Sequence, residues 1–388
     1  MTLPTGDDGA RPDWAGSDRQ AIDDLATAFA RREVLPHIDQ WELDGQIPRS
    51  LHLAAGDYGI LGLGFPEEAG GCGTTLDQFA VVESLIRAGV STGVTASLFS
   101  HTIALPALVA DGSEYLLDHY VRPTLAGELV PSLGVTEADA GSDVGGIRTR
   151  AVRDGDDYVV NGTKMYITSG VRADFVTMAV RTGKAGPRGI SLLVVDKKSP
   201  GFEVAKRLDK MGWRCSDTAE LVLVDVRVPL TNLVGEENTG FFQLMNQFQS
   251  ERLFLAVECV ATAQRCLALT IEWVKARQSF GAPLSTRQVV RHKIAEMARQ
   301  CDVASTYVWS VARRLDAGED VTSEVSMAKN TAVFAADSVV NEALQLHGGM
   351  GYMRECEVER HYRDIRVMGI GGGSNEIMNE IISKRLDL

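Results

Sequence analysis

Leu133-Gly-Val-Thr-Glu-Ala-Asp-Ala-Gly-Ser-Asp143 opens on a short apolar lead and passes into glycine, small residues, hydroxyls and acids, the chemistry of a loop at the mouth of a strand. Thr136 and Ser142 supply hydroxyls, the loop amides supply donors, and Gly141 lets backbone approach a ligand closely. Standing alone, such a run reads as a polar surface loop between two elements. Further on, Asn161-Gly-Thr-Lys-Met-Tyr-Ile-Thr-Ser-Gly170 is a turn feeding a strand that carries Tyr166 and Thr168.

Around this pair the hydrophobic period is two. Tyr158-Val-Val, Phe175-Val-Thr-Met-Ala-Val, Ile190-Ser-Leu-Leu-Val-Val and Ala219-Glu-Leu-Val-Leu-Val-Asp-Val are separated at short intervals by turns rich in Gly, Asp, Asn and Pro. That pattern predicts a compact antiparallel barrel or sandwich. On either side the period is helical: Ile22, Leu25, Phe29 and Leu35 before it, helices over 75–88 and 92–110, and a long run from Gly240 to about Gln278 that starts at an expected N-cap, Thr239. The expected organisation is a flexible tail over 1–17, a helical domain over 18–128, a β domain over 129–238 and a helical domain of four-helix type over 239–388. The fold class is α+β, since the middle segment excludes an all-helical fold and the lack of βαβ alternation excludes a Rossmann fold.

A net charge of −13 opposes phosphate-backbone binding, so nucleic acid is not an expected partner. No apolar run is read as a membrane span, and no membrane partner is expected. The first twenty residues, with Asp7, Asp8, Asp13 and Asp18, are neither a secretory nor a transit segment. Six cysteines without a CxxC pair and seven histidines without ligand spacing give no metal site, and they fit a reducing, cytoplasmic setting. His347, inside Gln-Leu-His-Gly-Gly, is read as a packed or turn residue.

Together the two opening segments resemble the acyl-CoA dehydrogenase family, which writes them Thr-Glu-Pro/Ala-x-Ala-Gly-Ser-Asp and Asn-Gly-x-Lys-x-Trp/Tyr-Ile-Thr-Asn-Gly. The resemblance covers nearly the whole chain after the tail. It implies a helical, β, helical order of domains and FAD as cofactor, with Tyr166 packed against the isoalloxazine, Thr168 near flavin N5, and Val135, Thr136, Gly141, Ser142 and Ile167 lining flavin or thioester. Three more segments complete it: Arg277-Gln-Ser-Phe-Gly281 with Gln288, Gln345-Leu-His-Gly-Gly349, and Gly373 to Glu376. In the family these hold the adenine and pyrophosphate, partly across a subunit contact. That assigns Arg277, Phe280, Gln288, Gln345, Gly348, Gly349, Ser374 and Glu376 to FAD and implies a homotetramer, or at least a dimer. Taken by itself, Arg277 also reads as a helix C-terminal capping charge, a common arrangement.

Glu251 shares a helical stripe with Leu244, Phe248 and Leu255, so a carboxylate interrupts an apolar face. An arbitrary glutamate there reads as an ion pair with Arg252 or a neighbouring helix; the other reading is a general base raised by desolvation. The family decides between them. Its catalytic glutamate lies either in a C-terminal Tyr-Glu-Gly-Thr loop or on this helix in a Glu-Arg-Leu context, as in isovaleryl- and long-chain-type enzymes. Here the loop reads Ile370-Gly-Gly-Gly-Ser-Asn-Glu-Ile377, and its usual base position is Gly372, which has no side chain but keeps an amide for a thioester oxygen. The resemblance therefore implies an acyl-CoA substrate taken to the trans-2-enoyl thioester, with Ser142, Phe242, Arg252, Gly373, Thr95 and Leu98 near the substrate and an electron-transfer flavoprotein as acceptor. A dehydrogenase of a carrier-bound acyl or prolyl thioester, a same-fold flavin monooxygenase and a silent thioester-binding flavoprotein are the alternatives.

Overall fold

The computed structural model describes residues 17–388. The tail expected over 1–17 lies, but for Ser17, outside the described residues. In chain order the elements that matter for function are helices α1 (Ser17–Phe29), α2 (Arg49–Asp57), α3 (Thr75–Arg87) and α4 (Thr92–Leu98); strands β1 (Pro131–Gly134), β2 (Arg150–Asp154), β3 (Asp157–Thr168), β4 (Phe175–Arg181), β5 (Ile190–Asp196), β6 (Phe202–Arg207), β7 (Thr218–Pro229) and β8 (Leu233–Val234); and helices α5 (Gly240–Ala276), α6 (Gln288–Asp316), α7 (Thr322–His347), α8 (Glu357–Ile365) and α9 (Asn375–Arg385). By contact they form two compact units that cut across the three sequence segments. One holds the described residues to Pro36 with 74–92 and 252–388; the other holds 37–73 and 93–251.

The second unit is built on one eight-stranded sheet in the order β6-β7-β3-β2-β4-β5-β8, with β1 beside β4. The expected antiparallel pairing holds except at β1–β4 and β2–β4, which are parallel. The β2–β3 hairpin lies between β1 and β4 in the chain, and that length allows the return crossover a parallel pair requires. Strands β4 and β5 are buried on both faces. Phe175, Ala179, Ile190, Leu192 and Val194 face a core shared with Leu105, Leu108, Leu117 and Val121. Their alternates Val176, Met178, Val180, Leu193 and Val195 share the other core with Tyr158, Val160, Leu221 and Val226 of β3 and β7. The sheet therefore folds over itself around one interior.

The helix expected over 92–110 is three short ones, 92–98, 101–104 and 106–111. The last break falls at Pro106, which starts a new helix at its first turn because it lacks an N–H.

The first unit is helical. Phe79 sits edge-on to Phe254 at 6.4 Å and to Trp309 at 6.5 Å between ring centroids. One turn along α3, buried Glu83 accepts from Arg19 and from Trp309 Nε1, so α1, α3 and α6 share one charged core contact. Helix α5 corrects the sequence reading on one point: it is long and apolar enough to cross a membrane by length and composition. Two-thirds of its most apolar window (67%) is buried inside the protein, so its Ala, Val, Cys and Leu positions are core positions.

Candidate active site

In the β unit the two opening segments are joined. Met165 N donates to the Thr136 carbonyl at 2.8 Å. Just before it, Lys164 Nζ donates to the Val135 carbonyl at 3.0 Å and to Glu137 Oε1 at 2.8 Å. Glu137 also accepts from the amides of Arg148 at 2.6 Å and Thr149 at 2.9 Å. Lys164 is fully buried; burial pulls its ammonium below the ordinary lysine range, partly offset by Glu137. Burial works to raise Glu137, but the Lys164 charge and the donors around it win and hold its carboxyl below the usual value.

Beyond Lys164 the ladder slips. Lys164 pairs with Leu221 and Ile167 with Ala219, so three steps on β3 oppose two on β7, a bulge with one extra residue. Tyr166 occupies it with φ +61°, a left-handed backbone unusual for an aromatic residue, and its side chain is 67% exposed. Ser169 follows with φ +60°. Buried Asp217 pins that end: its carbonyl accepts from Ser169 N at 2.9 Å, and its carboxylate accepts from Val171 N at 2.8 Å and Arg172 Nε at 2.7 Å.

The result is an outward tyrosine flanked by the half-buried hydroxyl residues Thr136 and Thr168, with Val135 and Ile167 buried behind. Gly141 and Ser142 are exposed, and a β-carbon built on Gly141 would meet no atom within 4 Å. An exposed ring, hydroxyls and loop amides around open space fit an isoalloxazine and its polar edge. Thr95 and Leu98 are fully buried in α4, and Phe242 is about half exposed, edge-on to Phe241 at 5.6 Å.

Glu251 ends this unit's share of α5. Its stripe is as expected: Leu244 is buried, Phe248 packs on the core, and Gln247 Nε2 ties the helix to the Ile103 carbonyl at 2.9 Å. Glu251 itself is half-buried.

In the helical unit, Arg252 is buried beside the C-terminal loop. A β-carbon on Gly373 would lie 3.8 Å from Arg252 Nε and 2.6 Å from Met378 Cε. Gly372 and Gly373 both take positive φ, +61° and +89°, which glycine adopts freely. Ser374 caps α9, accepting from Ile377 N, and Glu376 in the first turn is held below the usual carboxylate range by its own amide and the Ser374 hydroxyl.

Gln345, Gly348 and Gly349 are exposed at the end of α7, where His347 is buried, bonds the Ala343 carbonyl at 2.8 Å and stacks on Trp273 at 5.1 Å. The Arg277 guanidinium lies 6.0 Å from the Trp273 ring centre. Phe280, with φ +50°, tips a two-stranded ribbon and is 97% exposed, and Gln288 beside it is exposed as α6 begins. No group of His, Cys, Asp or Glu that could hold a metal is present among the described residues.

Sequence reasoning missed the residues that hold these loops. Lys164 falls in phase with inward Tyr158 and Val160, so a charge in the buried register of β3 was the signal. Lys329, also fully buried, lies four residues from Val325 and Val333 on the buried stripe of α7, the spacing that singled out Glu251.

The chain matches the N-terminal, middle and C-terminal domains of acyl-CoA dehydrogenase over residues 16–128, 132–226 and 238–387. A probable acyl CoA dehydrogenase of known structure from Mycobacterium abscessus is 63% identical, with a TM-score of 0.95 over 96% of this chain and 100% of that one. The probable acyl-CoA dehydrogenase YngJ of Bacillus subtilis is 37% identical over 95% of this chain and 98% of its own length. The long-chain specific acyl-CoA dehydrogenase of Sus scrofa mitochondria is 36% identical over 95% of this chain and 86% of its own.

Proposed function

Since the chain belongs to the acyl-CoA dehydrogenase family, whose members are FAD flavoproteins, we propose that it desaturates an acyl-CoA between Cα and Cβ with Glu251 as the base. FAD, when bound, supplies the acceptor for the hydride that leaves Cβ. Glu251 takes the α-proton on its carboxylate, and the Gly372 amide donates to the thioester oxygen, where enolate charge develops. The product is the trans-2-enoyl thioester. The Tyr166 bulge, with Thr136 and Thr168, would orient the isoalloxazine; Arg277, Gln345 and the Ser374–Glu376 turn would hold the nucleotide end.

The observation that carries this reading is the exchange of one carboxylate for another. Position 372 is glycine on left-handed backbone, while Glu251 occupies the apolar stripe of α5. Glu251→Gln keeps volume and polarity and removes the base. Flavin content and thioester binding should persist while anaerobic flavin reduction slows roughly a hundredfold or more. Reduction at near the original rate would place the base elsewhere. Adding Gly372→Glu to this variant puts a side chain where φ is +61°, at a cost of roughly 1–2 kcal/mol, and partial recovery of flavin reduction would support a shared geometry for the two base positions.

An anaerobic panel of CoA and carrier-bound thioesters, scored by flavin bleaching, sets the substrate, since relatives named for long-chain and for isobutyryl substrates are nearly equally similar, at 36% and 35% identity. The same panel separates a dehydrogenase from a monooxygenase, which would need oxygen to turn over. An electron-transfer flavoprotein as acceptor follows from the family. A homo-oligomer, a tetramer in the first instance, is supported by Phe280, a near fully exposed aromatic residue on left-handed backbone inside a segment assigned to the nucleotide. Sedimentation of the FAD-loaded protein reads the subunit number.

A further inference from the structure

We infer that Lys329 is the positioning residue for the Gly372 amide, an inference that rests on the role given to that amide above. Lys329 projects from the middle of α7 and is fully buried. Its Nζ donates to the Gly371 carbonyl at 2.8 Å and also to the Gly373 carbonyl. The Gly371 carbonyl and the Gly372 N–H belong to one peptide unit, and there is no cis peptide bond among the described residues. In a planar trans peptide the two groups point in opposite directions. Fixing the carbonyl on Lys329 therefore turns the Gly372 N–H away from α7. The Gly373 carbonyl does the same for the amide of Ser374.

Three consecutive glycines have no side chain to set these planes, and glycine crosses between backbone regions easily. The neighbouring residue on α7 completes the grip. Asn330 Nδ2 donates to the Asn375 carbonyl at 3.1 Å and to Asn379 Oδ1 at 2.9 Å, so both ends of the loop are docked on one helical turn. On the other side, the Ile370 and Gly371 amides both donate to the Val367 carbonyl, at 2.9 and 2.8 Å. The peptide that carries the Gly372 N–H is thus held from its carbonyl side by a charged donor. A cation on the carbonyl of a peptide draws electron density from its N–H and makes that N–H a better donor, an effect that is larger in a buried, low-dielectric setting. Lys329 acts through this peptide and never touches the substrate.

The test compares Lys329→Met and Lys329→Gln with the wild type as FAD-loaded full-length protein. The probe is a trans-2-enoyl-CoA, labelled with carbon-13 at the thioester carbonyl and matched in length to the acyl-CoA that bleaches the wild type fastest. Its carbonyl stretch is read by infrared difference spectroscopy, beside kcat and KM. Binding to the wild type should lower the stretch. Lys329→Met should lose most of that lowering and reduce kcat roughly tenfold to a hundredfold, less than outright loss of an oxyanion donor, with KM little changed. Lys329→Gln, which keeps a donor without the charge, should fall between.

A folded, FAD-loaded Lys329→Met with the wild-type stretch and kcat overturns the inference. If Met is not recovered folded, Lys329→Gln with the wild-type stretch and kcat overturns it equally. Failure of the underlying reading looks different: the wild type would not bleach with any thioester, or would bind the enoyl thioester without a carbonyl shift.

Discussion

Each unit has a candidate ligand loop gripped from within by a fully buried lysine, and the two grips differ. Lys164 meets the Val135 carbonyl and the Glu137 carboxylate, so the first loop brings its own counter-charge. Lys329 meets the carbonyls of Gly371 and Gly373, in a loop whose glycines have no side chain to offer. A loop with a carboxylate is held by an ion pair, and the pair is part of the unit's stability. A loop of glycines is held through its peptide planes, and what the lysine sets there is chiefly the direction of its amides.

The largest effect should come from splitting the ion pair. Lys164→Met leaves the Glu137 carboxylate 8% exposed without its ammonium, which should cost about 3–5 kcal/mol in chemical denaturation. Adding Glu137→Gln should recover part of that loss, since the uncompensated charge is then gone. A loss below about 1 kcal/mol would mean the backbone bonds alone hold the loop.

Acid distinguishes the units next. In the β unit, burial lowers His101 from 6.5 to about 4, and His52 is also pushed well below its ordinary value by burial and by Arg172. Both are neutral when folded, so the unfolded chain binds more protons between these values. Their contribution is complete above pH 6.5 and is lost as pH falls towards 4, which for His101 amounts to roughly 3 kcal/mol. In the helical unit, burial opposes ionisation of Glu357, but hydrogen bonds from Arg265 and His361 lower it from 4.5 to about 2. Its contribution is complete above pH 4.5 and is lost only as pH falls through about 2. Hydrogen exchange across pH 7 to 4 should therefore show amides around His101 and His52 losing protection before those around Glu357, and His101→Gln should flatten that slope by about one proton.

The smallest effect compares two glycines. Gly373→Ala must adopt φ +89° with a β-carbon 2.6 Å from Met378 Cε, and should lower stability by roughly 1–3 kcal/mol. Gly141→Ala meets nothing within 4 Å and should change it by no more than about 0.5 kcal/mol. Thermal melts of both variants read the difference; equal losses would erase the contrast between a loop set by its backbone and one set by its partners.

Short apolar runs bounded by Gly, Asp, Asn and Pro turns marked β4 and β5, and a sustained helical stripe marked α5, which separated the β segment from the helical ones. The contact units were not legible, since α1 and α3 pack with α6 through Arg19, Glu83 and Trp309, residues far apart in the chain. The parallel placement of β1 beside β4 was also hidden, as pairing direction is set by a crossover and leaves no local pattern. At the candidate site, the motifs marked the outward groups Tyr166, Thr168 and Gly141. Glu137 and Lys164 lay inside the same motifs but were passed over, because a charged letter in a loop or strand reads as solvated until its register is known. The bulge that turns Tyr166 outward depends on a slip against β7, which no single segment encodes.

The stack of His347 on Trp273, with Arg277 above the same indole and Trp273 Nε1 donating to the Leu346 carbonyl at 3.1 Å, equips the protein with an optical gauge. Indole emission is quenched by a protonated imidazole in contact with it, and burial lowers the pKa of His347, so this signal should change below the usual histidine range. Trp273 is one of five tryptophans, and the difference spectrum between wild type and Trp273→Phe isolates it. With Arg277 and Gln345 holding the nucleotide as proposed above, the Trp273 emission should change when FAD is added to the apoprotein, and a titration that leaves it unchanged counts against that assignment.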